Sequence, residues 1–303
     1  MKVLLTGAKG QLGQALIASK PPGVQLISTS RSGGQGLEAL DLADPDACQR
    51  AVHAHRPDWV LNAGAYTAVD QAESEPALAQ AVNAGAPRAF AQALASCCPG
   101  GRLLQLSTDF VFNGEQGRPY QTDERPDPLG VYGATKASGE QAVLELLGTG
   151  VDGRAAILRT SWVYGPVGRN FLLTMLRLHQ LKADAKEPLR VVADQVGCPT
   201  ATSGLAKTCW AAMTRQASGV LHWSDAGAAT WFDFAVAIGA QAAARGLISA
   251  AAEVKPIRTV DYPTPATRPA YSLLDCTATQ EQLGVTSRHW QSMLNDVLGE
   301  LNA

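Results

Sequence analysis

The stretch that decides the fold is "KVLLTGAKGQLG", residues 2–13. An apolar run over 2–6 leads directly into Gly7, Gly10 and Gly13, and an amphipathic segment follows. Glycine permits a tight turn, a close approach of backbone to phosphate, and close helix-strand packing. The start of the helix would offer free N–H groups and a positive dipole end to a pyrophosphate. The spacing is G-x-x-G-x-x-G rather than the commoner G-x-G-x-x-G, but its place after a first strand predicts dinucleotide binding over an ordinary glycine turn.

Short apolar runs alternate with amphipathic stretches through the rest of the first half. The predicted strands are 2–6, 24–28, 58–62, 102–107 and 155–160, and the predicted helices are 11–18, 44–55, 77–95 and 133–147. This alternation predicts an α/β fold with a doubly wound parallel (Rossmann) sheet. Its ligand crevice should lie at the carboxyl ends of the strands.

The second half of the chain is less regular. It contains predicted helices at 171–181, 203–213 and 230–244, predicted strands at 189–192 and 220–223, and a proline-rich segment, 255–269, that reads as loop. We therefore expect a smaller C-terminal lobe that is partly interleaved with the first domain. The expected division is a dinucleotide-binding domain over 1–165, with 203–245 returning to it, and a substrate-binding lobe made of 166–202 and 246–303.

Composition restricts the class of protein. The 303 residues are 46% hydrophobic and 17% charged, which is typical of a globular chain with a sizeable core. The net charge is -2 and no Lys/Arg run occurs, so a nucleic-acid partner is not expected. The six cysteines form no CxxC pair or zinc spacing and are expected to be reduced thiols. We see no signal peptide and no apolar run of about 18 residues, so we expect a cytoplasmic protein without a membrane span.

The end of the second predicted strand bears on the choice between NADPH and NADH. An acidic residue there would hold a ribose 2′-hydroxyl, whereas an arginine accommodates a 2′-phosphate. The stretch at 28–32 is STSRS, with Arg31 and no acid, which favours NADPH and leaves NADH as the alternative. Asp41 and Leu42 are candidates for the adenine end of the cofactor, although this stretch could equally serve to cap the helix that begins at Asp44.

A Y-x-x-x-K motif, Tyr132 to Lys136, opens the fourth predicted helix. The four-residue offset places both side chains on one helix face. An ammonium group beside a phenol is expected to lower the tyrosine pKa from about 10, so that Tyr132 can act as an acid or base. Alone, the motif could be an exposed helical pair. After a glycine-rich loop and a strand that ends in Ser107-Thr108, the pattern favours a catalytic pair.

Four motifs occur in an order that resembles the extended short-chain dehydrogenase/reductase superfamily, in the branch that acts on nucleotide sugars. They are TGAKGQLG (6–13), NAGAY (62–66), STDFVFNG (107–114) and YGATK (132–136). Further stretches are similar to the dTDP-4-dehydrorhamnose reductase family: NAGAYTAVDQAE (62–73), RTSWVYGPVGRNF (159–171), DQVGCPT (194–200) and TRPAYSLLD (267–275). The resemblance covers nearly the whole chain.

The resemblance implies a reaction and a set of site residues. The C4 keto group of dTDP-4-dehydro-L-rhamnose would receive hydride from NADPH and a proton from Tyr132. The implied catalytic residues are Tyr132, Lys136, Thr108 and Asp109. The implied cofactor contacts are Gly7, Gly10, Gln11, Leu12, Gly13, Arg31, Asp41, Leu42, Ala63, Gly64, Ala65, Tyr132 and Lys136. The implied substrate contacts are Thr108, Asp109, Trp162, Gln195, Thr200 and Arg268.

Structural roles compete with several of these assignments. An interior tryptophan packs, glutamine and threonine satisfy turns, and an arginine before proline can be solvated. Asp109 could cap a local turn. Some members of the family hold a magnesium ion between subunits through glutamates, but the matching places here are Ala15 and Ser203, which supply no carboxylate. We therefore predict no bound metal. A homodimer is an alternative to a monomer, but we do not expect it to form through a shared magnesium ion.

Three other functions compete with reduction. Dehydratases of this branch resemble STDEVYG, with an acid where this chain has Phe110, which cannot exchange a proton. An epimerase needs tightly held NAD, and Arg31 argues against it. A regulatory subunit similar to the β subunit of methionine adenosyltransferase would share the fold without catalysis. The presence of Thr108, Tyr132 and Lys136 together favours an enzyme.

Overall fold

Seven strands form one parallel sheet at the centre of the computed structural model, which describes residues 1–301. All strands of the described residues, including those outside this sheet, are in chain order β1 Lys2–Thr6, β2 Gln25–Ser30, β3 Glu38–Ala39, β4 Trp59–Asn62, β5 Arg102–Thr108, β6 Ala155–Thr160, β7 Val163–Tyr164, β8 Leu189–Val192, β9 Val196–Gly197, β10 Thr200–Ala201, β11 Gly219–Trp223, β12 Ala229–Thr230 and β13 Val254–Ile257. The sheet order is β11-β6-β5-β4-β1-β2-β3. Chain order reverses between β1 and β4, which makes that point the expected crevice. The predicted doubly wound fold is confirmed.

Helices cover both faces of this sheet. The α-helices of the described residues, in chain order, are α1 Gln11–Ala18, α2 Pro45–His55, α3 Val69–Ala72, α4 Pro76–Gln80, α5 Ala86–Cys97, α6 Val131–Leu147, α7 Phe171–Ala185, α8 Thr202–Thr214, α9 Trp231–Ala244, α10 Thr277–Leu283 and α11 Trp290–Glu300. Side chains of α1 and α8 form one core with the sheet, and α2, α5 and α6 form another on its opposite face. Because both faces are covered, β4 and β6 are buried along their whole length.

The C-terminal lobe has its own core. Side chains from α7, α9, α11, β8 and β13 make up a third apolar cluster. The range 203–245, whose full return to the first domain the sequence predicts, is divided by this packing. Strand β11 pairs in the central sheet and helix α8 packs against that sheet, whereas α9 packs in the lobe. The domain boundaries themselves stay a prediction.

The proline-rich segment 255–269 corrects one prediction. It reads as loop, but its beginning forms β13, which pairs in parallel with β8. Pro256 has no N–H. At the two ends of the pair, Leu189 N–H donates to the Glu253 carbonyl and Ala193 N–H donates to the Ile257 carbonyl, so neither bond needs a donor at Pro256. An edge strand tolerates proline for this reason. Helices α10 and α11 were not among the predicted elements.

The predicted helix 77–95 is interrupted. A π-helical turn, Ala81–Gly85, separates α4 from α5, and Pro87, which cannot donate an N–H, follows it. The turn presents Asn83, whose side chain accepts from Tyr66 N–H at 2.9 Å and donates to Thr135 Oγ1 at 3.2 Å. It thereby joins the 62–66 segment to α6.

Gly139 allows α6 to approach that turn. A Cβ atom at this position would collide with the Asn83 carbonyl oxygen and would lie 3.4 Å from Pro87 Cγ. Alanine in a helix interior normally gains about 1 kcal/mol over glycine. Overpacking of a buried contact costs about 1–3 kcal/mol. The collision with rigid backbone should therefore reverse the usual sign.

We predict that Gly139→Ala lowers the free energy of unfolding by about 1–2 kcal/mol. Urea unfolding followed by circular dichroism measures this change. Gly299→Ala in α11 is the matched control, because its Cβ would meet only ordinary contacts, the nearest being Arg245 Nη1 at 3.5 Å. An unchanged or raised stability in Gly139→Ala would contradict the packing argument.

Candidate active site

The glycine-rich loop has room for backbone and ligand but not for side chains. Gly7 has φ +69°, and a Cβ there would lie 2.7 Å from Gly64 Cα. A Cβ at Gly13 would lie 2.7 Å from Ala8 Cα. Gly10 precedes α1 and supplies no side-chain cap. These positions form the close-packed cradle that the sequence predicts.

The start of α1 presents free backbone donors. The bond from Gln14 N–H to the Gly10 carbonyl is the first of this helix, so the N–H groups of residues 11–13 point out of its end. The Gln11 side chain accepts from Asn170 Nδ2 at 2.7 Å. The loop that precedes α7 therefore packs beside the glycine-rich loop.

The end of β2 carries the residues expected near the cofactor 2′ position. Arg31 is 73% exposed and lies 3.8 Å from a carboxylate oxygen of Asp41. Ser30 Oγ is buried without a hydrogen-bond partner. Lys9, which the sequence reasoning missed, donates to the Gly33 carbonyl at 2.8 Å. The cationic side chains of Lys9 and Arg31 at this strand end are a suitable environment for a phosphate.

A buried chain of hydrogen bonds connects the ends of β1, β4 and β5. Thr6 Oγ1 donates to Asn62 at 2.5 Å, and Asn62 Nδ2 donates to Gln105 Oε1 at 2.7 Å. Thr6 Oγ1 also accepts from Gly64 N–H at 3.0 Å. The predicted segment Ala63-Gly64-Ala65 is thus fixed against the glycine-rich loop, and the Leu42 side chain packs where a Cβ of Gly64 would stand. Asp44, not Asp41, caps α2, accepting from Ala47 N–H at 2.9 Å.

Thr108 and Asp109 lie buried at the carboxyl end of β5. Thr108 Oγ1 donates to Asp109 Oδ1 at 3.1 Å and accepts from Phe110 N–H at 3.2 Å. Asp109 Oδ2 has no hydrogen-bond partner. Burial raises the pKa of Asp109 to about 6, although Thr108 and the nearby Ser272 side chain act to lower it. Thr108 therefore caps the short 3₁₀ turn after β5, and its single proton is engaged by Asp109.

Tyr132 and Lys136 stand above this strand end on α6. Burial raises the pKa of Tyr132 to about 12, with the Asp109 charge adding to the rise and Thr108 opposing it. Lys136 Nζ donates to the Leu106 carbonyl at 2.6 Å, and burial lowers the pKa of Lys136 to about 8. The expected lowering of the tyrosine pKa by Lys136 is therefore wrong. Desolvation of the phenol outweighs the ammonium, which faces a carbonyl instead.

Phe110 packs directly on the tyrosine. The two rings meet edge to face with centroids 5.8 Å apart. A Cβ at Gly133 would collide with the Phe110 carbonyl, so α6 is seated closely on the turn after β5. The place that a second acid would occupy is filled by an apolar ring in contact with Tyr132.

A cavity of about 520 Å³ lies between the lobe and the sheet domain. It is lined by apolar and aromatic side chains together with polar and charged ones: Asp70, Phe171, Thr174, Met175, Leu178, Leu189, Arg190, Val191, Val192, Gln195, Trp231, Tyr262, Thr264 and Arg268. The volume and lining suit a ligand that has both aromatic and anionic parts. Of these residues, the sequence reasoning named only Gln195 and Arg268. A larger cavity, about 660 Å³, lies among the beginnings of the strands, beside Met1, Trp59 and Arg102, away from every predicted site residue.

Trp162 and Gln195 contact Trp231 in one wall of the 520 Å³ cavity, whereas Thr200 is not among the residues that line it. Trp162, at φ +45°, stacks on Trp231 with ring centroids 3.6 Å apart. Gln195 accepts from Trp231 Nε1 at 3.2 Å. Thr200 is fully buried in β10, where its hydroxyl has no partner. Trp231 is the residue in this group that sequence reasoning missed, because only the fold brings α9 beside residue 162.

Arg268 forms a bidentate ion pair with Asp70. The two nitrogen-oxygen distances are 3.0 and 2.8 Å, and the pairing lowers the pKa of Asp70. The pair links the segment after β4 to the lobe at the edge of the cavity. The alternative in which Arg268 is merely solvated does not hold, because its side chain is only 23% exposed.

The sequence predicts neither a metal site nor a membrane span. Within residues 1–301, no three His, Cys, Asp or Glu side chains come together as ligands for a metal ion. Ala15 packs against the core beside α8. Over the same range, none of the helices combines the length and apolarity needed to cross a membrane.

Comparison with known proteins gives the family. The model of the family described as "RmlD substrate binding domain" matches residues 1–303. The chain belongs to this family. A dTDP-4-dehydrorhamnose reductase of Streptomyces griseus is 41% identical over 97% of this chain and 91% of its own length. A probable dTDP-4,6-dihydroxy-2-methyloxan-3-one 4-ketoreductase of Streptomyces antibioticus is 38% identical over 100% of this chain and 96% of its own. The resemblance stated from the motifs is confirmed.

Solved structures of the RmlD family agree. A dTDP-4-dehydrorhamnose reductase from Clostridium acetobutylicum superposes with a TM-score of 0.88 at 34% identity and covers 100% of both chains. One from Bacillus anthracis, in complex with NADP, has a TM-score of 0.86 at 32% identity and covers 99% of both chains. The likeness includes the lobe as well as the sheet domain.

The buried Asp109 carboxyl generates a stability prediction. Its folded pKa is raised from 3.8 to about 6, so its favourable contribution is present below about pH 4 and is lost as the pH rises through about 6. Above that pH the buried carboxylate is ionised, which destabilises the folded state, and Asp109→Asn removes this destabilisation. We predict that the variant gains about 1–3 kcal/mol of unfolding free energy over the parent at pH 8 and no comparable gain at pH 4.

Urea unfolding at the two pH values measures this difference. Asp184→Asn on α7, an exposed position, is the control and should change stability by less than about 0.5 kcal/mol at either pH. A gain for Asp109→Asn that is equal at pH 4 and pH 8 would rule out the titration as its cause.

Proposed function

We propose that this protein reduces the C4 keto group of dTDP-4-dehydro-L-rhamnose to give dTDP-L-rhamnose, with NADPH as the reductant. The observation that carries the proposal is the cluster at the end of β5: Thr108, Asp109, Tyr132 and Lys136, with Phe110 in place of a second acid. The names of the relatives and the NADP bound to the Bacillus anthracis protein support it.

The residues present fit NADPH. The cradle of Gly7, Gly10 and Gly13 with the free N–H groups of residues 11–13 would hold the pyrophosphate. Ser30, Arg31 and Lys9 would hold the 2′-phosphate, and the Asp41-Leu42 and 63–65 segments would flank the adenosine. When bound, the nicotinamide supplies hydride to C4 of the sugar. NADH is the alternative reductant, and comparison of kcat/KM for NADPH and NADH decides between them.

Tyr132 would donate the proton. Its pKa of about 12 keeps the phenol protonated at neutral pH, as a donor to the developing C4 alkoxide requires. Thr108 would turn its hydroxyl from Asp109 to the substrate oxygen, because it has one proton to give. Lys136, as an ammonium, would stabilise the tyrosinate that forms and contact the cofactor ribose. Asp109 would accept a hydrogen bond from the substrate.

The 520 Å³ cavity would take the nucleotide. Trp231, Phe171 and Tyr262 offer aromatic faces for a base, and Arg190 and Arg268 offer cations for a diphosphate. Trp162 would flank the sugar, and Gln195 would support the wall that contains Trp231. Arg268 is held by Asp70, so a diphosphate would share or replace that partner.

The direct test mixes purified protein, NADPH and enzymatically prepared keto sugar and follows the loss of reduced-nicotinamide absorbance. Other dTDP-4-keto-6-deoxy sugars run in parallel decide substrate preference, since they differ in the orientation of single hydroxyls. The absence of NADPH oxidation with all of them would refute a reductase. Co-purification with methionine adenosyltransferase would then favour the regulatory alternative.

Tyr132→Phe should lower kcat by about 10²–10⁴-fold, because the general acid is removed. Steady-state kinetics with NADPH and keto sugar measure the change. Tyr164→Phe is the matched control, since the Tyr164 hydroxyl is buried in the lobe core without a partner, and it should retain activity within about twofold. Undiminished activity in Tyr132→Phe would remove the assigned mechanism.

The pH dependence should report Lys136. Its pKa is lowered to about 8, so the ammonium is present below that pH and lost above it, whereas Tyr132 stays protonated throughout. We predict that kcat/KM falls as the pH rises past about 8. Lys136→Arg, whose side chain stays charged, should move that limb above about pH 10. A limb at the same pH in both proteins would assign it to another group.

A further inference from the structure

A row of buried polar side chains crosses the sheet beneath α6. Ser107 of β5 lies in register with Arg159 of β6, and Arg159 lies in register with His222 of β11. Register neighbours in a parallel sheet point to the same face. The three residues are 5%, 2% and 0% exposed, respectively. Burying such groups is costly unless each finds a partner.

Glu140 of α6 is the partner that completes the row. Arg159 Nε lies 3.1 Å from both of its carboxylate oxygens, and Nη2 donates to Oε2 at 2.7 Å. Ser107 Oγ donates to Oε1. Arg159 Nη1 lies 3.4 Å from His222 Nε2, so His222 carries its proton on Nδ1, 3.1 Å from the Tyr120 carbonyl. One carboxylate therefore joins α6 directly to β5 and β6, and through Arg159 to β11.

The position of Glu140 on the helix connects this row to the active site. It follows Lys136 by four residues and Tyr132 by eight, so the three side chains share one face of α6. Along the same strand, Ser107 contacts Glu140 and the Leu106 carbonyl accepts from Lys136. Thr108, the next residue, opposes the rise in the pKa of Tyr132. Fixing Glu140 fixes the two preceding turns relative to β5.

We propose that Glu140 is a positioning residue of this site: held by Arg159 and Ser107, it seats α6 on β5 and presents Lys136 as an ammonium beside Tyr132. The inference rests on the proposed reductase function, and it adds a role for a residue that contacts neither substrate nor cofactor. A purely structural ion pair would stabilise the fold without governing the charge of Lys136.

The surroundings of Lys136 support an electrostatic part of this role. Glu140 lies on its own helix, Arg159 and His222 face Glu140 from the sheet, and Asp109 lies at the strand end. Burial lowers the Lys136 pKa and the Glu140 charge opposes that effect. His222 is neutral, because burial and Arg159 lower its pKa to about 3. Removal of the carboxylate should make Lys136 lose its proton at a lower pH.

The test uses two variants of the full chain. Glu140→Met/Arg159→Met removes both charges together and leaves no unpaired ion, a replacement that folded proteins often tolerate. Glu140→Gln keeps the size of the side chain and removes only its charge. In whichever variant keeps the parent circular dichroism spectrum, we expect kcat to fall about 10- to 100-fold. We also expect the alkaline limb to move down by about one pH unit in Glu140→Gln. The shift should be smaller in the double variant, where loss of the Arg159 cation offsets part of the effect, and both KM values should stay within about twofold.

Two further substitutions sharpen the test. Glu140→Asp keeps the charge and should restore the parent limb and most of kcat. Glu145→Gln, at an exposed position of the same helix, should leave the kinetics unchanged. Parent kcat and an unmoved limb in the two variants that lack the Glu140 carboxylate would overturn the proposal. A lower kcat with an unmoved limb would also overturn it, because general loosening of the fold explains that result.

A substrate-free measurement separates this inference from the proposed function. The titration midpoint of the Lys136 side chain can be followed by NMR of ¹³C-labelled lysine, with the resonance assigned from Lys136→Arg. A downward shift of the midpoint in the variants that lack the Glu140 carboxylate supports the role of Glu140, even if the parent protein turns over no keto sugar. The absence of turnover would refute only the reductase assignment. An unchanged midpoint overturns the inference whatever the activity.

Discussion

The close seating of α6 on β5 is the constraint on which the rest of the site depends. Gly133 and Gly139 have no Cβ atoms, and a Cβ at either position would collide with the Phe110 or the Asn83 carbonyl oxygen, respectively. At this distance, Lys136 reaches a strand carbonyl and Glu140 reaches the arginine of the next strand. Backbone contact, buried ion pair and catalytic pair are therefore parts of one arrangement, because each requires the same separation of helix and sheet.

Burial sets the protonation states at the strand end. It raises the pKa of Tyr132 and Asp109 and lowers that of Lys136. Tyrosine thus stays a proton donor, while the lysine charge is stabilised by only a few groups. The Y-x-x-x-K spacing by itself suggests that the ammonium acts on the phenol. The structure shows that the ammonium faces the Leu106 carbonyl, so its effect on the phenol would depend on what enters the site.

The two ends of the site differ in how far the sequence anticipates them. The glycine-rich loop, the end of β5 and the start of α6 are continuous motifs, and local geometry suffices to interpret them. The 520 Å³ cavity is assembled from α7, α9, β8 and the segment after β13, which are distant along the chain. Trp231, Arg190 and Tyr262 carry no motif of their own, so only their meeting in space makes them candidates. The interrupted helix at 81–85 and the β8-β13 pair likewise depend on long-range contacts.

The sequence by itself determined the α/β class, the parallel sheet, the glycine cradle and the family, because periodicity, glycine spacing and ordered motifs are local properties of the chain. It also singled out Phe110 as the residue that argues against dehydration. Only the tertiary structure decided that α9 belongs with the lobe, that Arg268 pairs with Asp70, and that Glu140 joins strands β5 and β6 to the catalytic helix. These depend on side chains far apart in sequence being buried together, where unpaired charges cannot remain and each polar group must find its partner.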